Sequence, residues 1–560
     1  MNVNKRWLVN KTNQEFLEYL SKKTSVSKAL VQILVNRGYK DAESIKDFLA
    51  PSLENLHDPF LMPDMKRAVE RIKASSGNSE TVLVCGDYDA DGITATALLV
   101  SVLRMLGIKT RYHIPDRITE GYGLNKNAIQ KALSLGSKLL ITADCGISSE
   151  EEVSMAISQG IDVIITDHHE PPKNLPDAMA IINPHRTDSE YPFKNLAGVG
   201  VAYKLAQALT QDSRLEDFLE LVAIGTIADS VPLTGENRVM VTYGLKALNN
   251  DSSTPWIHAL RETAGIGKKE LHSGLLSYTI IPRINAVGRL GDANEIVELF
   301  LTDDSSKAKE IASFLESQNK KRRRIEADVH ISALDMINAG KLDNAIVLYS
   351  SEWHPGVIGI VASRLVDMFY RPTFLFSVKD DIAKGSARSI PPFHIHRGVS
   401  ECAELLLGYG GHSQAAGLRI STKNISAFRK QINSIVENTL TSEDLTPTVE
   451  IDAGLELFEV NFNLVKELEL LEPFGNSNQK PLFGAKGIEI IDPRIVGNNH
   501  LKVTSRQKSV AIDTIGFRMA GWLEEIKNLL TVDIAFVPCI NEWNGYKSIQ
   551  LNLKDLRPSI

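Results

Sequence analysis

Thr81-Val82-Leu83-Val84-Cys85-Gly86-Asp87-Tyr88-Asp89-Ala90-Asp91-Gly92 decides the fold of this chain. Residues 81–85 are β-branched or apolar and read as a short buried strand. Three aspartates at alternate positions follow, and helical spacing then runs from Ile93 to Leu106, stopped by Gly107. The alternation continues outward. Lys109 to Ile114 reads as a strand, Asn125 to Leu135 as a helix, and Leu139 to Thr142 as a strand. Ser149 to Gln159, closed by Gly160, reads as a helix, and Val163 to Thr166 as another strand. Short apolar strands alternating with longer helices mean βαβ units and a parallel sheet covered on both faces.

Upstream, the first 79 residues read as helices, with Leu30, Leu34 and Val35, then Met65, Val69 and Ile72, at helical spacing before a Gly77-Asn78 break. Downstream, Ser305 to Ala339 has almost no breaker. At 1.5 Å per residue such a helix reaches about 50 Å, long enough to join two domains. A second α/β segment runs from about Asn344 to Asn438, and polar residues Thr439 to Pro447 form a linker. Strand-like runs at Ile488 to Ile491, Val532 to Val537 and Ile549 to Leu553 fit a small β-barrel. Its expected details are a hairpin turn at Asn544-Gly545 and an inserted helix from Trp522 to Leu530.

The 560 residues are more than one core usually serves, and 43% hydrophobic with 23% charged excludes a mostly disordered chain. No apolar run approaches the ~18–20 residues that span a bilayer, and residues 1–20 lack a signal peptide's apolar centre. Cys85, Cys145, Cys402 and Cys539 lie far apart, so a disulfide framework and a zinc ribbon are not expected, and a reducing cytoplasm is the default. The net charge of −7 means that any nucleic acid must be met by local basic patches or by metals.

Each strand of the first sheet ends in acid. Asp87, Asp89 and Asp91 follow the first, Asp144 follows Leu139–Thr142, and Asp167-His168-His169-Glu170 follows Val163–Thr166. Parallel strands end on one edge, where open α/β sheets bind ligands. So many like charges would raise one another's pKa unless a cation neutralised them. Oxygen and imidazole donors without thiolate suit manganese or magnesium. A calcium loop fails because Leu98 stands where a bidentate Glu is needed. A dinucleotide loop fails because acids occupy the first turn and Gly198-Val199-Gly200 has Tyr203 in place of its third glycine. The plainer alternative is that each Asp caps the helix behind it. Asp229, after the apolar helix Phe218 to Ile224, reads by itself as a cap rather than a ligand. His168 and His169, if extended, point to opposite faces and cannot both ligate one ion.

Asp167-His168-His169, with Asp89-Ala90-Asp91, Asp144 and Asp229, resembles the motif set of the DHH phosphoesterase superfamily. Gly410-Gly411-His412 followed by Ala415-Ala416-Gly417 is similar to the nucleic-acid-contacting loop of its DHH-associated domain. Residues 353–359 (Trp-His-Pro-Gly-Val-Ile-Gly) and 471–475 (Leu-Glu-Pro-Phe-Gly) are similar to runs of its bacterial 5′→3′ single-strand-specific DNA exonucleases. The resemblance implies an N-terminal helical segment (1–79), a DHH catalytic domain (80–304), a connecting helix (305–340), a DHH-associated domain (341–438) and an OB-fold barrel (447–560). It implies metal ligation by Asp89, Asp91, Asp144, His168 and Asp229, with Asp144 bridging two Mn2+ or Mg2+ ions. His169 would contact the scissile phosphate or assist proton transfer.

Pyrophosphatase relatives carry histidine where this chain has Cys85, so Asp87 or water is expected to complete the first ion's site. Arg117 and Tyr122 follow the second strand, at the same edge. The resemblance implies that Tyr122, Arg289, Ser386 and Arg388 hold a 5′-terminal phosphate and His412 a backbone phosphate; Arg117 is expected as a further substrate contact from its place at that edge. Part of Lys320-Lys321-Arg322-Arg323-Arg324 is expected to line a DNA path. The implied activity is metal-dependent degradation of single-stranded DNA to 5′-mononucleotides in repair and recombination. A monomer in the bacterial cytoplasm is expected to work beside single-strand-binding protein and a helicase. The rivals are a DHH-type oligoribonucleotide or cyclic-dinucleotide phosphodiesterase, whose relatives are shorter and lack the barrel, and a non-catalytic DNA-binding scaffold, against which all five ligand positions speak.

Overall fold

The continuous apolar runs between residues 81 and 182 form central strands because both of their faces are covered. The structure, a computed structural model, describes residues 5–559 except 117–119, 122, 211, 251–253, 291–292, 341 and 544, and at 289 and 290 the backbone alone. Lys109–His113, Thr81–Gly86, Leu139–Ala143, Asp162–Thr166 and Ala180–Ile182 form, in that spatial order, an all-parallel sheet. The strands at 81 and 139 are neighbours although the chain visits residues 109–113 between them. Their carboxyl ends are therefore the topological switch point, where a crevice opens.

Val82, Val84, Leu139 and Ile141 face one apolar layer with helix Ala90–Met105. Leu83, Cys85, Leu140 and Val163 face the opposite layer, with Ala128, Ile129, Val153 and Ala156. Helices Gly198–Leu209, Leu219–Asp229 and Gly235–Leu248 add to the first layer.

The chain divides into two units, Val9–Glu316 with Ile451–Ile560, and Met1–Leu8 with Ser317–Glu450. In the first, helices Gln14–Thr24, Lys28–Asn36 and Ala42–Leu49 share one core with the C-terminal strands, through Leu17, Leu30 and Leu34 beside Phe483, Leu501 and Phe536. Helix Met65–Gly77 instead joins the parallel-sheet core. The expectation of an all-helical beginning is corrected by strand Arg6–Val9, which pairs with Thr448–Ile451. Four residues carry no readable periodicity when their partner is that remote.

The C-terminal strands Phe483–Val496, His500–Gln507, Val510–Gly516, Tyr546–Pro558 and Val532–Trp543 close into a barrel by pairing of the first with the last. Trp543 pairs with Tyr546, while Asn544 of the expected turn lies outside the described residues. The expected helix over 522–530 is only Leu523–Ile526, after a 3-10 turn. Ile526 is its one buried side chain and Leu530 is exposed, so no apolar face prolongs it.

The second unit holds a five-stranded sheet in the order Leu406–Gly411, Ala415–Ser421, Ile382–Arg388, Thr373–Lys379, Ile346–Ser350, antiparallel except for its last pair. Helix Ser305–Asn338 is continuous. Lys320, Lys321, Arg323 and Arg324 are exposed on it, whereas Arg322 turns in towards Asn319 and Glu326.

Two buried polar clusters tie the first unit together. Lys204 Nζ donates to Glu236 Oε1 (3.0 Å) and to the His57 carbonyl (2.6 Å), and Tyr191 Oη donates to Glu236 Oε2 (2.5 Å). Lys204 and Glu236 are both almost fully buried. Arg238 donates to the carbonyls of Phe48, Leu470 and Leu471 and stacks 3.9 Å above the Phe48 ring. Burial lowers its pKa to about 10. Removing one partner of a buried pair strands the other's charge, at about 3–5 kcal/mol. Glu236→Ala is accordingly expected to lower the urea midpoint by that equivalent, and the Lys204→Met/Glu236→Leu double variant to recover most of it.

Candidate metal centre

Asp89 is the N-cap of helix Ala90–Met105, its Oδ1 accepting from the amides of Asp91 (3.0 Å) and Gly92 (3.1 Å). The helix therefore starts before Ile93, which puts Asp91 in its first turn. The Ala90 amide donates to Asn285 Oδ1 (2.9 Å), which pins the loop to helix Ile280–Leu290. The capping alternative thus holds for Asp89, but for one carboxylate oxygen only.

Asp91 is buried, and its carboxylate accepts from the amides of Gly198 (2.7 Å) and Val199 (2.8 Å) at the start of helix Gly198–Leu209. Unsatisfied amides and the positive dipole end of a helix suit an anion. The glycine pair rejected as a dinucleotide loop is therefore a seat for a carboxylate of the protein itself.

Asp144 follows its strand in the left-handed region (φ +63°), lies buried, and caps no helix. Its Oδ1 stands 3.2 Å from His168 Nε2. His168 Nε2 is also 3.6 Å from Asp229 and 4.0 Å from Asp91. Asp229 does not follow its helix but ends it, since the helix runs Leu219–Asp229.

Asp167 is the hub of the next turn. Its Oδ1 accepts from the amides of His168 (2.7 Å) and His169 (3.1 Å) and meets His169 Nδ1 at 2.7 Å, and its Oδ2 accepts from the Ile147 amide (2.9 Å). The chain folds around this carboxylate once the strand ends at Thr166. The expectation that His168 and His169 point to opposite faces is corrected accordingly: their rings lie side by side, centroids 4.6 Å apart.

The donor atoms form three overlapping groups, each within 4.8 Å: Asp87, Asp89 and Asp144; Asp91, His168 and Asp229; Asp144, His168 and His169. Asp144 is shared by the first and third, His168 by the second and third. Cys85 lies on the other face of the sheet, in the apolar layer with Leu83 and Leu124. Burial pushes its thiol up to about 12, so it is a neutral core side chain.

The electrostatics carry the strain of this crowding. Burial and then the Asp89 charge push Asp87 up to about 7. Burial, with Asp229 and Asp89, holds Asp91 well above the carboxylate range, and burial with Asp91, Asp89 and Asp87 does the same to Asp144. Burial also raises Asp229 and lowers His168. For Asp167 the burial penalty is overcome by hydrogen bonds from His169 and from backbone amides, so it stays ionised, and the Asp167 hydrogen bond raises His169 to about 9. Among the described residues, Asp144 Oδ1 and His168 Nε2 are buried without a hydrogen-bond partner. An unfilled acceptor oxygen and an unfilled imidazole nitrogen amid four further carboxylates fit a divalent cation with oxygen-rich ligation.

Of the residues expected to touch substrate, Arg117 and Tyr122 lie outside the described residues, as does the side chain of Arg289. Ser386 and Arg388 share one face of strand Ile382–Arg388, and Arg388 Nη1 donates to Ser386 Oγ (3.2 Å). They face Gly359 at the start of helix Ile358–Phe369, so closely that a Cβ there would meet Ser386 Oγ at 2.8 Å and Arg388 Nη2 at 3.1 Å. The Arg388 guanidinium, the Ser386 hydroxyl and the first turn of helix Ile358–Phe369 thus pack together at Gly359. Gly359 is the last residue of the 353–359 run. His412 is exposed at the tip of the hairpin joining Leu406–Gly411 to Ala415–Ser421, its amide donating to the Ala415 carbonyl (2.8 Å).

Residues 81–226 match the DHH family, N-terminal domain, residues 342–438 the DHHA1 domain, and residues 451–555 the RecJ OB domain. The chain is 39% identical to the single-stranded-DNA-specific exonuclease RecJ of Bacillus subtilis, over 98% of this chain and 70% of that protein. Among solved structures it is similar to RecJ of Thermus thermophilus in complex with Mn2+, with a TM-score of 0.86, 30% identity, and coverage of 99% of this chain and 80% of that one. The same protein in complex with Mg2+ gives a TM-score of 0.79 at 28% identity, over 99% and 79% of the two chains.

Proposed function

Since this chain belongs to the RecJ family of single-stranded-DNA-specific exonucleases, we propose that it removes nucleotides one at a time from the 5′ end, releasing 5′-mononucleotides by in-line attack of water. It is a metal-dependent hydrolase of phosphodiester bonds, with Mn2+ or Mg2+ as cofactor. The observation that carries the proposal is that two potential metal-ligating atoms, Asp144 Oδ1 and His168 Nε2, are buried without a hydrogen-bond partner among the neighbouring carboxylates. Divalent ions supply a water of lowered pKa and a clamp on the phosphodiester.

In this reading Asp87, Asp89 and Asp144 would hold one ion and Asp91, His168 and Asp229 the other, and Asp144, whose carboxylate has two oxygens, would be the shared ligand. Asp167 keeps the His169 imidazole charged and oriented, so that it meets the scissile phosphate or returns a proton to the leaving 3′ oxygen. The Gly198 and Val199 amides fix the Asp91 carboxylate so that no reorganisation is needed when substrate arrives.

The place at Gly359, Ser386 and Arg388 is assigned to the 5′-terminal phosphate, and His412 to a backbone phosphate. Tyr122 and Arg289 are assigned to the same phosphate by their motif positions, and Arg117 to a further substrate contact by its place after the second strand. Single-strand-binding protein and a helicase are the proposed providers of such ends, with a monomer acting in the bacterial cytoplasm. No helix among the described residues is long and apolar enough to cross a membrane.

Digestion of 5′- and 3′-labelled single strands, duplex and RNA, with Mn2+, Mg2+ or chelator, tests class, polarity and cofactor together. Loss of the 3′ label first, or undiminished activity in chelator, would sink the reading. A charge-assisted hydrogen bond is worth about 1.5–3 kcal/mol. Arg388→Ala is therefore expected to cut the preference for 5′-phosphate over 5′-hydroxyl ends by about 10-fold or more, measured as a ratio of kcat/KM values. An unchanged ratio removes the pocket assignment.

A further inference from the structure

Asp229 is the ligand candidate that the parallel sheet does not position. It ends helix Leu219–Asp229, where the helix dipole disfavours an anion, and the turn that follows sets the path of the backbone that carries it. Ser230 takes the left-handed conformation (φ +61°), and its carbonyl accepts from Asn476 Nδ2 at 2.6 Å. Two residues after Val231, the Leu233 amide donates to the Asn476 carbonyl at 2.9 Å. Gly475 lies against Leu233 so tightly that a Cβ would come within 2.6 Å of Leu233 Cδ1. From the other side Asn237 Nδ2 donates to the carbonyls of Pro232 (3.0 Å) and Asn195 (2.5 Å).

The segment carrying Asn476 is itself held by hydrogen bonds. Asn478 is fully buried and donates to the carbonyls of Leu471 and Pro473 (2.8 Å each), Gly475 and Asn478 exchange backbone hydrogen bonds, and Ser273 Oγ donates to the Phe474 carbonyl (2.5 Å). The Leu471–Gly475 run singled out in the sequence belongs to this segment, which leads into the barrel.

We propose that Asn476 is a positioning residue for the metal centre: from the barrel's leading segment it fixes the turn that aims Asp229. The inference rests on reading Asp229 as a ligand. Groups that hydrogen-bond a ligand directly matter by about 10–100-fold in metal affinity, and Asn476, which acts one residue away through the Ser230 carbonyl, is expected at the low end of that range.

The test is Mn2+ binding to the full chain, by calorimetry, for wild type, Asp229→Ala, Asn476→Asp and Asn476→Ala, with the metal-free unfolding midpoint of each. Asn476→Asp keeps the shape and removes the donor. Expected are loss of one Mn2+ site in Asp229→Ala and an approximately 10-fold weaker site in both Asn476 variants. The metal-free midpoints of the two Asn476 variants should stay close to that of wild type, and their kcat should be restored by saturating Mn2+ without change in KM for DNA. If Asp229→Ala loses a site while both Asn476 variants bind Mn2+ as wild type does, Asn476 has no such role and the ligand reading survives. If Asp229→Ala keeps every site, the ligand reading itself fails and the inference with it. A fall in the midpoint with Mn2+ affinity intact also overturns it.

Discussion

Asp144→Asn will lower kcat in Mn2+ by at least about 10³-fold, or about 4 kcal/mol of transition-state stabilisation. Asparagine is the informative replacement because Asp144 sits at φ +63°, which Asn tolerates and which costs alanine roughly 1–2 kcal/mol. The substitution keeps shape and backbone but removes the charge shared between two donor groups. It also leaves a signature in stability. Without a cation, Asp144 is held up by burial and by its neighbours Asp91, Asp89 and Asp87, so its charge opposes folding. The metal-free variant should unfold at a higher midpoint than metal-free wild type, and added Mn2+ should stabilise it less, since stabilisation follows binding. Wild-type turnover in this variant would remove the ligand assignment.

Gly198→Ala should be nearly as damaging, although residue 198 carries no chemistry. A Cβ there would lie 2.4 Å from Asp144 Oδ1 and 2.5 Å from Asp144 Cβ. The second contact is to an atom next to the backbone, so rotating the carboxylate does not relieve it. Either Asp144 or the start of helix Gly198–Leu209 must move, and that start carries the amides that hold Asp91. A displacement of about 1 Å costs on the order of 10²-fold in rate. The expected result is a kcat loss of that size with weaker Mn2+ binding and a far-UV spectrum like that of wild type. A Gly198→Ala enzyme of normal kcat would mean that the two ligands are not set by this packing.

The acidic strand ends were legible because a parallel sheet turns sequence order into spatial convergence, so Asp89, Asp144 and His168 could be brought together by topology alone. Asp229 was not legible by this route, since it comes from a helix end and its apolar neighbours resemble those of any buried helix. Gly198 and Val199 were hidden for a related reason: the glycines mark a close approach, but a sequence does not say what approaches. The extended-strand rule does not reach the histidine pair, because the strand ends at Thr166 and Asp167 then folds the backbone around itself. Nor could local periodicity show that helices near residues 17 and 30 share a core with strands near 483 and 536.

The Arg238 clasp bears on how such a protein can be taken apart. Its guanidinium has carbonyls from residue 48 and from residues 470 and 471 around it, so two distant stretches of chain solvate one cation in place of water. Grafting a foreign barrel after residue 450, or deleting the leading helices, would leave that cation without its cage. Chimeras should therefore fail at expression unless residue 238 is exchanged along with the graft, which makes the barrel an organ of this enzyme rather than a detachable accessory.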